Sequence, residues 1–193
     1  MTDFYDEVLS GWDDVEPSSG LSSEPVPVGY YAAKIEKVLE KKESSNGVPV
    51  VRMQLQITRG KYARRAVFVD MSLSASPVDR DGNKRSTEAF KKANDNVQGM
   101  AKGFIRTLNV AKAPAIGEGS AKIFNFYNVD AWEGREFVAK LSIQPEREYN
   151  GKTYGPRNQL ANFYPMNDAK HGIAYIEQLE QQGNSASTTP ATL

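Results

Sequence analysis

Apolar and polar residues alternate with a period of two through most of the middle of the chain. Segment 50–58 shows the alternation without a break, and segments 29–42, 66–73 and 135–144 repeat it. Successive side chains of a strand point to opposite faces, so this pattern predicts half-buried β-strands. The residues predicted to face the core are Tyr31, Ala33 and Ile35; Val51, Met53, Leu55 and Ile57; Val67, Val69, Met71 and Leu73; and Phe137, Ala139, Leu141 and Ile143.

The period changes to that of a helix between residues 86 and 108. Apolar residues there fall on one helical stripe at Phe90, Val97, Ala101, Phe104 and Leu108. Ser86 or Thr87 can cap the start, whereas Gly99 and Gly103 weaken the interior and allow two shorter helices instead.

The rest of the body completes this outline. Residues 111–134 have no clear period and are predicted to be an irregular connector, and residues 147–155 a turn. A fifth strand is expected around 158–164. A short helix should follow from Asp168, with Ile173, Ile176 and Leu179 on one side.

Three strands, a helix and two further strands is the element order of the OB-fold. The sequence therefore predicts a mainly β protein, a five-stranded OB-fold Greek-key barrel with a helix between strands 3 and 4 and a short C-terminal helix. We predict three regions: a flexible acidic arm at 1–27, an OB-fold nucleic-acid-binding domain at 28–182 and a disordered tail at 183–193.

The formal net charge of zero hides an uneven distribution. Residues 1–27 hold seven acids and no lysine or arginine, so the remaining chain has 24 basic residues against 17 acids. A basic body joined to an acidic arm favours a partner of negative charge, such as a nucleic acid.

The chain offers little for catalysis. It has no cysteine and a single histidine, His171, so neither a Ser/His/Asp nor a Cys/His set is expected. We expect a protein that is not an enzyme and uses no cofactor or metal. No apolar run approaches the length of a membrane span, and the acidic N-terminus is unlike a secretory signal, which predicts a cytoplasmic location without membrane contact.

Two clusters of cations and aromatic rings are instead typical of single-strand binding, in which cations follow phosphates and rings stack on bases. In an OB-fold, nucleic acid crosses strands 2 and 3 beside the loop between strands 4 and 5. The first cluster, at the bend after the second strand, comprises Arg59, Lys61, Tyr62, Arg64 and Arg65. The second, between the last two strands, comprises Arg147, Tyr149, Lys152, Tyr154 and Arg157.

Arg52 and Phe68, outward on the second and third strands, complete the predicted nucleic-acid site. Each of these residues also has an alternative role without nucleic acid. A basic bend can simply keep a hairpin soluble, and tyrosines on strands can pack against their cross-strand neighbours.

A resemblance to a known protein family covers about residues 26–166. It is carried by four segments: PVGYYAAKIEKV, VPVVRMQLQITRGKYARRAVFVDMSLS, WEGREFVAKLSIQ and YNGKTYGPRNQLANFYP. Together they resemble a family of small bacteriophage and prophage proteins found among replication and recombination genes. Some members are regarded as single-stranded DNA-binding proteins with an OB-fold. The resemblance implies a protein that binds single-stranded DNA with little sequence preference and protects it during phage DNA replication, recombination or repair. The location would then be the host cell cytoplasm.

Alternatives from other classes stay open at this point. One is a protein–protein adaptor or phage structural protein built on the same barrel, and another is a strand-annealing or RNA-binding OB protein. Many single-strand binding proteins dock partners through an acidic C-terminal tail, but residues 183–193 contain no acid. Phe4, Tyr5 and Trp12 lie in the acidic arm. The arm could therefore dock phage or host replication proteins, mediate a homodimer, compete with DNA for the basic body, or only solubilise the chain.

Overall fold

Five strands form one antiparallel sheet in the computed structural model, which describes residues 24–79, 82–149 and 152–186. Their bounds are β1 Gly29–Glu43, β2 Pro49–Ile57, β3 Ala66–Ser72, β4 Glu136–Gln144 and β7 Arg157–Tyr164. The order across the sheet is β3-β2-β1-β4-β7. The prediction of a mainly β protein with five principal strands is confirmed.

The long first strand allows the sheet to curl. The first part of β1 pairs with β4, and its later part pairs with β2 through register shifts after Ile35 and Val38. Such irregularities bend a strand and increase its twist. The two outer strands, β3 and β7, consequently approach each other. Side chains join them at this edge, where Arg157 Nη1 lies 3.6 Å from Asp70 Oδ2.

Residues 24–27 pack against this edge of the sheet. Val26 is buried, and its backbone N–H and C=O both bond to the Asn158 side chain, at 2.9 and 2.8 Å. The Arg65 guanidinium donates to the Glu24 carbonyl. The predicted boundary of the arm at residue 27 is therefore too late, because Val26 belongs to the body. The prediction for residues 1–23 lies outside the described residues.

The predicted inward faces of β2 and β3 are confirmed, since all eight of their predicted residues are buried. Ile143 on β4 is a correction: it is 38% exposed. The β1–β4 ladder ends at the Gly29–Leu141 pair, so Ile143 lies beyond the part of β4 that β1 covers. Val138, on the opposite face of β4, is buried instead with Ala32 and Ile176.

The first helix, α1 Thr87–Thr107, is continuous and lies between β3 and β4 in the chain. The Ser86 hydroxyl accepts from the Ala89 N–H at 3.2 Å and caps its start. Buried Phe104 makes edge contacts with three rings, at centroid distances of 5.2, 5.3 and 5.0 Å from Trp132, Phe137 and Phe163. Gly103 faces the Phe163 ring on β7, and a Cβ there would lie 3.4 Å from that ring, which is an ordinary van der Waals contact. Tertiary packing thus keeps one helix despite its glycines.

Residues 111–134 are more regular than predicted. They contain α2 Gly119–Phe126 and a short 3₁₀ turn, Val129–Ala131. Trp132 follows, fully buried, and its indole N–H donates to the Tyr127 carbonyl at 3.0 Å. The connector is therefore part of the core.

Two further elements differ from the prediction. The expected turn at 147–155 is a short hairpin of β5 Arg147–Tyr149 and β6 Lys152–Tyr154. The last helix, α3 Ile173–Ala186, extends beyond residue 182 into the predicted disordered tail, whose residues 187–193 lie outside the described residues. None of the helices in the described ranges is long and apolar enough to cross a membrane.

Candidate nucleic-acid interface

The outward face of β2 and β3 presents an aromatic ring beside charged side chains. Gln54 on β2 pairs across the ladder with Phe68 on β3, and Arg52 pairs with Asp70. Phe68 is 41% exposed, as the alternation along β3 predicts, because its neighbours Val67 and Val69 fill the core. A flat, accessible ring is therefore held on the outer face of the sheet.

A groove runs from this face to the start of β7, and we call it the polar groove. It is lined by Arg52, Phe68, Asp70, Gln144, Arg157, Asn158 and Gln159. Asp70 Oδ1 lies 3.7 Å from Arg52 Nε, and Asp70 Oδ2 lies 3.6 Å from Arg157 Nη1. Arg157 Nε also donates to Gln144 Oε1 at 2.8 Å. The structure thus brings together Arg52, Phe68 and Arg157, which the sequence analysis placed in the site from distant segments.

The same face continues onto β1. Leu39 and Glu40 line a shallow depression with Arg52 and Phe68, and Leu39 is 41% exposed. The sequence analysis missed these two residues and the amides of the polar groove, Gln144, Asn158 and Gln159. The alternation itself could have found Gln144, because it places this residue on the outward face of the strand next to Ile143.

The basic bend, residues 58–65, is a tight turn built on left-handed backbone. Gly60 and Arg64 have φ values of +77° and +70°. The Ala63 N–H bonds to the Gly60 carbonyl at 3.0 Å, and the Arg64 N–H bonds to the Ile57 carbonyl at 2.8 Å. Glycine adopts this conformation without penalty, whereas Arg64 is held in it by the turn. The turn therefore displays four cations on one compact loop.

Helix α3 packs against one side of the basic bend. Glu177 Oε1 lies 3.2 Å from Arg59 Nη1, and the Glu180 carboxylate lies directly against Gly60. Both partners of the Arg59–Glu177 pair are 52% exposed, so the pair is a surface contact. Arg59 is consequently engaged by α3, which the sequence analysis did not foresee.

The Tyr62 ring of the basic bend is not fully open for stacking on a base. It is partly buried against the core, and its ring meets the Tyr31 ring edge-on at a centroid distance of 6.0 Å. The Lys61 ammonium lies 5.6 Å from the Tyr62 ring centroid. Burial raises the pKa of Tyr31, whose hydroxyl donates to the Pro27 carbonyl at 2.8 Å. Tyr62 therefore supports the core beneath the basic bend, and its predicted stacking on a base stays a prediction.

The second predicted cluster is divided between the hairpin and the polar groove. In the β5–β6 hairpin, Arg147 pairs with Tyr154 and Tyr149 pairs with Lys152. Tyr154 is 46% exposed. The predicted contacts of the Arg147, Tyr149 and Lys152 side chains lie outside the described residues.

His171 belongs to an aromatic cluster that anchors α3. Its ring stacks on Tyr164 at 4.2 Å and on Tyr30 at 5.5 Å. The Asp168 carboxylate accepts the N–H groups of His171 and Lys170, at 2.8 and 3.0 Å, and these bonds hold the pKa of Asp168 below its usual value. This cluster holds the start of α3 on the sheet, so Glu177 and Glu180 stay close to the basic bend.

Comparisons with known proteins add little to this geometry. No protein-family model matches the chain, and no curated protein matches its sequence. A solved structure described as yeast RPA bound to ssDNA matches with 11% identity and a TM-score of 0.36, over 91% of this chain and 94% of that chain. Similarity at that level carries no argument about function. The resemblance to phage proteins has no support from these comparisons.

Proposed function

We propose that this chain is an OB-fold protein that binds single-stranded DNA with little sequence preference. The strand order, the contact between β3 and β7 and the position of α1 between β3 and β4 support this fold. Nucleic acid would cross the face of β2 and β3, where OB-folds bind oligonucleotides.

The polar groove carries the proposal. It combines an exposed ring, Phe68, with two arginines, Arg52 and Arg157, that come from different strands. Single-strand binding needs this combination, because bases released from a duplex rest on rings while cations meet the phosphates. The basic bend lies about 17–20 Å from the Arg52–Asp70 pair along the ladder, counted as five residues of strand from Asp70 to Arg65 and six from Arg52 to Thr58. A single strand of a few nucleotides could contact both.

The cellular role we propose follows from the resemblance to phage proteins. The chain would cover and straighten single strands during phage DNA replication, recombination or repair, in the host cytoplasm. It would do so without catalysis or a cofactor, since stacking and phosphate contacts suffice for binding.

A gel-shift titration with labelled oligo-dT tests this function. We expect a shifted band at low salt and a weaker one as salt rises, because phosphate contacts release counterions. Duplex DNA and RNA of equal length serve as competitors, and neither should compete as well as oligo-dT. Absence of a shift at low salt would refute the proposal and favour a protein–protein adaptor, whereas preference for RNA would favour an RNA-binding protein.

Neutralising Glu177 is expected to strengthen DNA binding at low salt, by up to about fivefold. The substitution Glu177→Gln removes a negative charge beside the basic bend and frees Arg59, and an exposed pair of this kind is worth roughly 0.2–1 kcal/mol. Oligo-dT affinity should be measured for this variant and for Asp95→Asn, which makes the same charge change on the exposed side of α1. Equal affinities of the two variants would show that α3 does not affect the site.

A further inference from the structure

The carboxylate of Asp70 is not expected in a groove whose only function is to bind phosphates. The polar groove otherwise presents two arginines, three side-chain amides and Phe68. A carboxylate repels phosphate, so an acid here weakens purely electrostatic binding. Its side chain is 31% exposed, so it is accessible to a ligand in the groove.

The two arginines leave the Asp70 oxygens able to accept further hydrogen bonds. The distances of 3.7 Å to Arg52 and 3.6 Å to Arg157 exceed those of normal N–H···O hydrogen bonds. A carboxylate has two oxygens with about four lone-pair positions. Asp70 therefore offers two acceptors side by side, flanked by the donors of two guanidinium groups.

Position along β3 puts these acceptors at the edge of any base that stacks on Phe68. Phe68 and Asp70 are two residues apart on the same outward face, a separation of about 6.6 Å along the strand. A nucleobase resting on the ring can extend its hydrogen-bonding edge over that distance toward Asp70. Base-specific recognition in single strands works in this way, with stacking on a ring and hydrogen bonds to the base edge.

Among the four DNA bases, guanine complements this arrangement. Its Watson–Crick edge presents the O6 acceptor followed by two adjacent donors, N1–H and the N2 amino group. Two donors match the two oxygens of one carboxylate, and O6 matches an arginine N–H. Thymine and cytosine each present two acceptors on that edge, which would face the Asp70 oxygens unfavourably. Adenine has no second donor next to its amino group.

We propose that Asp70, with Phe68 and the flanking arginines, forms a pocket that prefers guanine within an otherwise sequence-neutral single-strand site. This inference rests on the proposed function. It assigns to Asp70 the discrimination between bases, while Phe68, the groove arginines and the basic bend supply the general affinity for the strand.

The test compares short oligo-dT with the same oligonucleotide carrying one central dG, dA, dC or deoxyinosine. A good bidentate contact discriminates by roughly 1–3 kcal/mol, and because Asp70 is partly exposed we expect the lower end, about a fivefold tighter binding of the dG strand. Inosine lacks the N2 amino group, so it should lose most of this gain. Because this series uses the native protein, its result does not depend on how any variant folds.

Two variants then assign the preference to Asp70. Asp70→Asn replaces one acceptor with a donor and should abolish the preference for dG, while oligo-dT affinity stays equal or rises. Asp95→Asn is the matched control. It makes the same substitution on the exposed side of α1, at a residue that does not line the polar groove, and it should keep the preference. Thermal melts of both variants check that they fold.

The outcomes separate this inference from the proposed function. Equal affinity for all five oligonucleotides would overturn the guanine pocket and leave single-strand binding standing. A dG preference that survives Asp70→Asn, or that inosine retains, would also overturn it. Failure to bind any of the oligonucleotides would overturn the proposed function and this inference with it.

Discussion

Replacing Arg59, Lys61, Arg64 and Arg65 together with glutamine is expected to flatten the salt dependence of single-strand binding and to weaken it strongly. Each phosphate contact contributes roughly 0.7 to the slope of log K against log salt, so loss of four contacts lowers the slope by about 2.8. Near 0.1 M salt that corresponds to a loss of roughly several hundredfold in affinity.

The contacts within the basic bend set a lower limit to this effect. Arg59 pairs with Glu177, and Arg65 donates to the Glu24 carbonyl, so both already have partners in the free protein. Lys61 and Arg64 have no ion pair within the described residues. If only those two meet phosphates, the slope should fall by about 1.4 instead.

The measurement is oligo-dT affinity over a series of salt concentrations. A matched control replaces four exposed lysines of the first two helices, none of which lines the polar groove, and so makes the same change in net charge: Lys91, Lys92, Lys102 and Lys122. The control should keep most of the native slope. The same slope in the native protein and the bend variant, or the same loss in the control, would exclude the basic bend from the DNA path.

The strands could be predicted from sequence because burial on one face imposes a period of two. Val51 and Val69 are buried, and Phe68 is exposed, as the alternation requires. The prediction of burial from alternation fails where a strand extends beyond its neighbour. Ile143 keeps the alternation of β4 but lies past the end of the β1–β4 ladder, and the sequence of β4 alone does not show where that ladder ends.

The site could be predicted only in part, because several of its contacts join segments far apart in the chain. Arg59 meets Glu177, 118 residues away, and Val26 bonds to Asn158, 132 residues away. The positive charge and the outward position of Arg52 could be predicted from the sequence. The pairing of Asp70 with both Arg52 and Arg157 could not, because that arrangement depends on the approach of β3 to β7.

Elements that lack a strong period were also missed. Only Phe124 is buried in α2, so its short sequence carries a weak helical signal. The partial burial of Tyr62 could not be predicted either. A tyrosine in a basic bend is expected to be exposed, and its contact with the Tyr31 ring is visible only in the structure.

Replacing Phe68 with alanine is expected to weaken single-strand binding by about 1–3 kcal/mol, or roughly five- to 150-fold, at unchanged salt slope. The ring is 41% exposed on the outer face of β3, and its removal takes away a stacking surface without removing a charge. Folding stability should change little, because Phe68 is absent from the buried core, whereas loss of a buried ring such as Phe104 would cost about 3–5 kcal/mol.

Leu39→Ala is the matched control for this prediction. Leu39 is equally exposed, at 41%, and borders the same depression beside Arg52, but it has no ring on which a base can stack. Phe68→Trp should preserve affinity, since a larger ring stacks at least as well, and Phe68→Leu should lose it despite remaining apolar. Oligo-dT titrations and thermal melts are measured for all four variants. If Phe68→Leu binds as tightly as the native protein, the ring contributes only apolar area, and Phe68 is not a stacking residue.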